Sequence, residues 1–238
     1  LTDNGNNIYS TPDTNAARIS LLPTNFPTVN WASTAGNGYS DNPTVTSDGR
    51  YTAYVSDSTT LVTGDTNSVR DVFIYDNQTA TARRLSVAQQ GAQSNGASNH
   101  PAISAVSTNG TYVAFSSDAT NLALDDTNGF SDIYIVNVFT GVITRVSVST
   151  AGVQSNGSNF KPAISVTGRY VAWESTATNL IVAGTSVGVT HVYLRDRDVA
   201  NSGTYDTAGN VSTVLISQAT GAATPGNGHS LQATVSAD

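Results

Sequence analysis

The chain has 238 residues, no Cys, one Lys, one Glu and a formal net charge of −7. The missing Cys excludes disulfides, thiolate zinc sites and cysteine nucleophiles. The acidic balance argues against nucleic-acid and anionic-membrane partners, which need a basic surface. Ser and Thr together make 61 residues, or 26%, and this composition favours strands joined by turns over long helices.

Further exclusions concern location. No stretch approaches the roughly 18 apolar residues of a spanning helix, so we expect no membrane insertion. The chain contains no Met, and we expect it to be a processed or excised piece. Absent Cys and scarce Lys favour a bacterial protein that is secreted, periplasmic or displayed at the cell surface.

The chain contains three copies of one unit of four short strands. The first strand is a Pro-led phrase at residues 43–46, 101–104 and 162–165. A Gly turn leads to an aromatic-rich second strand at residues 51–56, 112–117 and 170–175. A long loop leads to the third strand at residues 71–76, 132–137 and 191–196. The fourth strand is predicted at residues 82–88, 143–149 and 211–217.

A second marker fixes the register of the copies. An Asn-Gly pair begins six residues before each Pro-led phrase, at Asn37, Asn95 and Asn156, and a fourth pair begins at Asn227. The fourth pair places residues 233–236 of the tail in the first-strand slot. The repeat therefore continues to the end of the sequence.

Apolar residues lie on both faces of each predicted sheet. Side chains alternate along a strand, so Val113 and Phe115 face one way, and Tyr112 and Ala114 face the other. Each sheet must then be covered on both sides, and no segment has a helical period long enough to cover one. Sheet against sheet in a radial array, the β-propeller, meets this requirement.

The repeats resemble a known family. The pattern Pro-x-Ile-Ser, a turn ending in Gly, Tyr-Val-Ala-Phe, a loop, and Asp-Ile-Tyr-Ile is similar to the TolB-like propeller repeat and covers nearly the whole chain. The turns depart from the family's usual Ser-Pro-Asp-Gly because they lack the proline. The resemblance implies an all-β propeller of four-stranded antiparallel blades that serves as an interaction platform. Similar propellers also gate the active sites of prolyl-oligopeptidase-like peptidases.

The template divides the chain into an incomplete ring of three full blades with partial blades at both ends. Residues 1–35 form the end of a blade, residues 36–94, 95–155 and 156–226 form full blades, and residues 227–238 form the first strand of the next. The count is fifteen strands. An uncovered blade face would expose Phe and Val, so we expect self-association or completion by the remaining blades of a larger chain.

The long loop carries oxygen-bearing side chains at the same three positions in two copies. These candidate calcium ligands are Asp65, Asn67, Asp71, Asp126, Asn128 and Asp132. Closely spaced Asp and Asn suit Ca²⁺, the one cofactor to which the sequence points. The alternative is that Asp and Asn tie the loop to its own backbone as Asx turns, with Asp71 and Asp132 anchoring the start of the following strand. The third copy has no loop carboxylate, so ions are expected in two blades only.

Other polar residues form no catalytic pattern in the sequence. His100, His191 and His229 occupy three different template positions, with His100 and His229 in the loop entering the first strand, and zinc is not expected. Glu174 is expected at an edge or solvent-facing strand position. The Arg pairs at 83–84 and at 195 and 197 are expected to form solvated faces or local ion pairs.

The functional interpretation is a non-catalytic binding or assembly module for a protein or glycan partner, because a rigid scaffold presents polar loops. The alternatives are an accessory domain of a larger prolyl-oligopeptidase-like hydrolase and a self-contained glycan-active enzyme. Enzymatic activity is thus left open, and no catalytic residue is assigned.

Overall fold

The computed structural model describes residues 36–107, 110–182, 184–220 and 224–236. The predicted blade end at residues 1–35 lies outside this part of the chain. The described residues contain no helix and form three antiparallel sheets of four strands each. The twelve strands are β1 (Ser40–Val45), β2 (Tyr51–Ser56), β3 (Asp71–Asp76), β4 (Thr81–Arg84), β5 (Ser98–Ile103), β6 (Tyr112–Ser117), β7 (Asp132–Asn137), β8 (Ile143–Arg145), β9 (Asn159–Ile164), β10 (Tyr170–Ser175), β11 (His191–Asp196) and β12 (Ser212–Leu215).

Each sheet follows chain order, β1 to β4, β5 to β8 and β9 to β12, so every strand pairs with its sequence neighbour. We call these sheets blades 1, 2 and 3. They match the three predicted copies strand for strand. The first strands begin a few residues earlier than the Pro-led phrases suggested, and His100 therefore lies inside β5 rather than in the loop before it.

The blades pack face to face. One buried cluster joins Val55 and Tyr51 of blade 1 to Val113 and Phe115 of blade 2. A second cluster joins Tyr112 of blade 2 to Trp173 and Tyr193 of blade 3, and also contains Ala114. The predicted division of β6 between two faces is thus confirmed. First strands of successive blades also contact one another, β1 with β5 and β5 with β9, which gives the radial arrangement of an incomplete β-propeller.

The Asn-Gly markers tie each first strand to the turn after the second strand. Asn95 Oδ1 accepts a hydrogen bond from Thr120 N at 2.8 Å, and Asn156 Oδ1 accepts one from Thr178 N at 2.7 Å. A Cβ on Gly96 would lie 2.6 Å from Ala119 N, so only Gly allows this close approach. The repeated dipeptide is therefore a packing requirement of the blade.

The tail begins as a first strand but does not become one. Ser230 N donates to Thr190 O at 2.9 Å, as Ser98 N donates to Arg70 O at 2.8 Å where β5 starts. Residues 224–236 nevertheless contain no strand, in contrast to the prediction. A strand needs a ladder partner, and no neighbouring strand of the described chain pairs with the tail.

Candidate functional site

The predicted calcium ligands form buried ion pairs with an arginine of the fourth strand. In blade 1, Arg84 Nη1 lies 2.9 Å from Asp65 Oδ1 and 3.3 Å from Asp71 Oδ2. In blade 2, Arg145 Nη1 lies 3.2 Å from Asp126 Oδ1 and 3.4 Å from Asp132 Oδ2. Both arginines join the start of the long loop to its end.

Hydroxyl and amide groups complete these clusters. Asp132 accepts from Ser147 Oγ at 2.5 Å, from Ser155 Oγ at 3.2 Å and from Asn128 Nδ2 at 3.0 Å. Asn128 Oδ1 accepts from Phe130 N at 2.9 Å, which is the expected Asx turn. In blade 1, Asn67 Nδ2 donates to Asp71 at 3.1 Å, as Asn128 Nδ2 does to Asp132 in blade 2. Each site residue is thus part of one repeated network.

Burial governs the electrostatics of these clusters. It raises the pKa of Asp65 and of Asp132, and Arg84 and Arg145 respectively oppose that rise. Tyr134 donates its hydroxyl to Asp126 Oδ2 at 2.5 Å, and burial together with this bond raises the pKa of Tyr134. The tyrosine therefore stays a neutral donor at physiological pH.

Blade 3 replaces the network with neutral groups. The strand pairing aligns Asp132 with His191, and the loop spacing aligns Asp126 with Thr185. Ser147 Oγ accepts from a backbone N–H of the third strand in blade 2, and Ser217 Oγ does the same in blade 3. The two serines are therefore equivalent, so Leu215, two residues before Ser217, holds the position of Arg145. The carboxylates and the arginine are thus absent together.

This joint replacement supports the structural interpretation of the loops. A guanidinium already lies between the two carboxylates of each pair, at the place where a cation would bind. Among the described residues, no group of three or more His, Cys, Asp or Glu side chains could hold a metal ion. Calcium binding stays a prediction.

A second group of polar side chains lies along the first strands. The residue just before each Pro-led phrase, and its equivalent in the tail, has a left-handed backbone. The φ angle is 49° at Asn42, 53° at His100, 45° at Lys161 and 60° at Gln232. The ladder shifts register at this position in the three first strands. We call these four residues, together with Ser116 and Glu174 of the second strands, the inner-strand cluster.

The contacts of the inner-strand cluster lie within blade 2, within blade 3, and between blade 3 and the tail. Glu174 accepts from Gln232 N at 2.6 Å and lies 3.6 Å from Lys161 Nζ. His100 Nδ1 lies 3.3 Å from Ser116 Oγ. Burial, followed by the charge of Lys161, lowers the pKa of His100, so its imidazole is neutral at pH 7.

The structure corrects the expectation for Glu174. Its side chain is buried rather than solvent-facing, because it lies in the second strand of blade 3 and neutralises Lys161. The sequence reasoning weighed His100 and Glu174 separately and missed the cluster. The signal was present: one template slot holds a different polar side chain in each copy.

The arginine expectations are confirmed in part. Arg84 and Arg197 form local ion pairs, the latter with Asp206 at 2.6 Å. Arg83 is exposed and donates to Val138 O. Arg195 is neither solvated nor paired with a carboxylate in the described structure, since it is buried and donates to Thr213 Oγ1 at 2.9 Å.

Comparison with known proteins yields structural neighbours only. No family model and no curated protein matches the chain. A protein described as TolB from Agrobacterium tumefaciens is 20% identical, with a TM-score of 0.41, over 74% of this chain and 48% of its own. The tricorn protease is 12% identical, with a TM-score of 0.43, over 77% of this chain and 17% of its own. TolB from Acinetobacter baumannii is 14% identical, with a TM-score of 0.30, over 76% and 45%.

These similarities concern the fold alone, and the chain spans about half or less of the length of each neighbour. Two of the neighbours are TolB proteins, which is the family that the repeats resemble. Within the described ranges, no helix is both long and apolar enough to cross a membrane.

Proposed function

We propose that this chain is a non-catalytic propeller module that binds a protein or glycan partner through its inner-strand cluster. The observation that carries this proposal is one repeated backbone position that presents a different polar side chain in each copy. A location outside the bacterial cytoplasm, whether secreted, periplasmic or at the cell surface, belongs to the same proposal and is supported by the composition.

The left-handed backbone gives this position a functional interpretation. A non-Gly residue in that region costs about 1–2 kcal/mol, and His, Lys and Gln hold it in three successive copies. Such outliers concentrate at binding sites, where the surrounding structure imposes them. A bulge bends the strand that carries it, and the four polar residues hold the equivalent position in successive copies.

The cluster offers mixed charge to a partner. The Lys161 side chain is 48% exposed, and Asp41, next to the first bulge, is 55% exposed. Arg70 bonds to Asp41 and lies 3.2 Å from Asp57, so a second ion pair flanks the cluster. Paired surface charges of this kind set specificity and orientation more than affinity.

Site-specific cross-linking tests the proposal. A photoreactive amino acid at Asn42 or at Lys161 is expected to capture the partner, and the same group at exposed Gln90, in the turn after β4, is the matched control. Capture that competes with purified partner and is confined to positions 42 and 161 supports the proposal. Equal capture at all three positions, or capture at position 90 alone, contradicts it. A glycan array on the same variants separates a glycan partner from a protein partner.

The alternative of an accessory domain in a larger hydrolase stays a prediction. A reading frame that joins this chain to an α/β domain with a nucleophile elbow would support it, and further blades would support the binding module. Self-association also stays a prediction, and sedimentation velocity at several concentrations tests it.

A further inference from the structure

The interface between blades 2 and 3 holds two guanidinium groups and one carboxylate. Arg197 lies 2.6 Å from Asp206 Oδ2, donates to Gly168 O at 2.6 Å, and covers the rings of Tyr112 and Tyr205 at 4.6 and 4.8 Å. Asp206 receives bonds from both Nε and Nη2 of Arg197. Its carboxylate is therefore committed to Arg197.

Arg195 is left without a counterion. It is 6% exposed, and its Nη1 donates to Thr213 Oγ1 at 2.9 Å. Its Nε is enclosed without an acceptor, and no carboxylate of the described chain lies within 4.0 Å. Burial lowers its pKa, Asp206 opposes that shift, and Arg197 adds to it. A guanidinium nevertheless remains charged in a protein.

The fold itself does not require a cation at this position. The strand pairing places Val136 of blade 2 and Tyr75 of blade 1 in the slot of Arg195. Val136 is 2% exposed and belongs to the apolar core. A buried charge without a partner is costly, whereas a guanidinium matched to an oxyanion is favourable. An arginine in a slot that suits valine therefore indicates a bound anion.

We propose that Arg195 forms an anion site between blades 2 and 3 that takes a small free oxyanion of the phosphate class. Thr213 fixes the guanidinium through Nη1, Nε is enclosed, and the Nη2 N–H groups are the ones that donate to the oxyanion. The site is independent of the inner-strand cluster, so either proposal can fail without the other.

Thermal unfolding in phosphate tests the site on the unmodified chain. Sodium phosphate replaces sodium chloride stepwise at constant ionic strength. A parallel series replaces sodium chloride with sodium acetate and tests whether a carboxylate has the same effect. The expected result is a saturable rise in the unfolding midpoint of about 3–6 °C at ten times the dissociation constant. No rise above the chloride series, or a rise with acetate alone, would overturn the proposal.

A pair of substitutions locates the effect. Arg195→Met keeps the volume and removes the charge, and it should abolish the phosphate response. Arg83→Met removes the exposed guanidinium of blade 1 and should leave that response unchanged. Retention of the response in Arg195→Met, or its loss in Arg83→Met, contradicts the assignment. If Arg195→Met does not fold, the titration of the unmodified chain still decides the question.

Discussion

Blades 2 and 3 fill the same buried positions with different side chains, which are charged in blade 2 and neutral in blade 3. In blade 2, Asp126 and Asp132 are joined by Arg145, and in blade 3 the same positions hold Thr185, His191 and Leu215. His191 Nδ1 lies 3.1 Å from Ser217 Oγ, as Asp132 lies against Ser147. Burial lowers the pKa of His191, so this blade is neutral at the position. The charges are thus exchanged as a set.

The comparison shows why the carboxylates are present in blade 2. A buried carboxylate is tolerated where a guanidinium and hydroxyl donors satisfy it. Blade 3 has no arginine at this position and carries no carboxylate there. The loop residues therefore act as parts of an internal tie between the long loop and the fourth strand.

The largest expected effect comes from removing the shared cation. Arg145→Leu leaves Asp126 and Asp132 buried without a counterion and should reduce the free energy of unfolding by about 3–5 kcal/mol. The matched control is Arg50→Leu, which breaks the more exposed pair with Asp76 and should lose much less stability. Urea unfolding at pH 7 measures both. Equal losses of unfolding free energy in the two variants would contradict the distinction between buried and surface ion pairs.

A smaller effect separates the two tyrosine bonds. Tyr134 donates to the charged Asp126 at 2.5 Å, whereas the hydroxyl of Tyr193 lies 3.2 Å from that of Thr185. Asp126→Ala removes both this bond and the ion pair with Arg145 and should cost about 1.5–3 kcal/mol, whereas Thr185→Ala leaves Tyr193 its bond to Ala177 O and should cost about 0.5–1.5 kcal/mol. Urea midpoints with unchanged slopes provide the values. The reverse ranking would contradict the account of blade 3 as the neutral equivalent.

The acid dependence of stability sharpens the comparison further, because blade 3 has a carboxylate of its own with a lowered pKa, Asp198, in the loop after β11. Burial opposes the shift, but bonds from Ser202, Asn210 and Gly203 hold the pKa of Asp198 at about 2. A lowered pKa in the folded state adds stability above the usual value near 3.8, and this is lost as the pH falls towards 2. Asp198→Asn should flatten the plot of unfolding free energy against pH between 4 and 2 by up to about one proton. Parallel plots would refute the assignment.

The smallest expected effect is that of calcium. Because Arg84 and Arg145 already occupy the place of a cation between the loop carboxylates, removal of calcium with a chelator should leave the unfolding midpoint within about 1 °C. A midpoint that rises with added Ca²⁺, and does so less in Asn67→Ala, would instead support ion binding in blades 1 and 2.

Much of the fold was predictable because the repeats are local in sequence. Each strand pairs with the next along the chain, so the position of Phe115 in its copy defined both its partner strand and its face. The alternation of Tyr112 and Val113 likewise predicted coverage on both sides. The tail was wrongly expected to be a strand, since pattern alone does not reveal whether a ladder partner is present.

The sites were less predictable because their contacts cross between elements. The pairing of Asp71 with Arg84 joins the start of the third strand to the end of the fourth, and neither residue is unusual alone. The change to His191 was visible in the aligned copies, but the change to Leu215 was not, because the predicted fourth strands at residues 143–149 and 211–217 align Arg145 with Thr213. Glu174 was placed at the surface because its contacts with Lys161 and Gln232 depend on a bulge that the sequence does not reveal.

The most direct test of the internal tie is to transplant the neutral set into blade 2. The free energy of unfolding of Arg145→Leu is compared with that of the triple variant Asp126→Thr, Asp132→His, Arg145→Leu. If the three residues act as one unit, the triple variant recovers more than half of the stability that the single substitution loses. Losses that add, leaving the triple variant less stable than Arg145→Leu, would contradict the account.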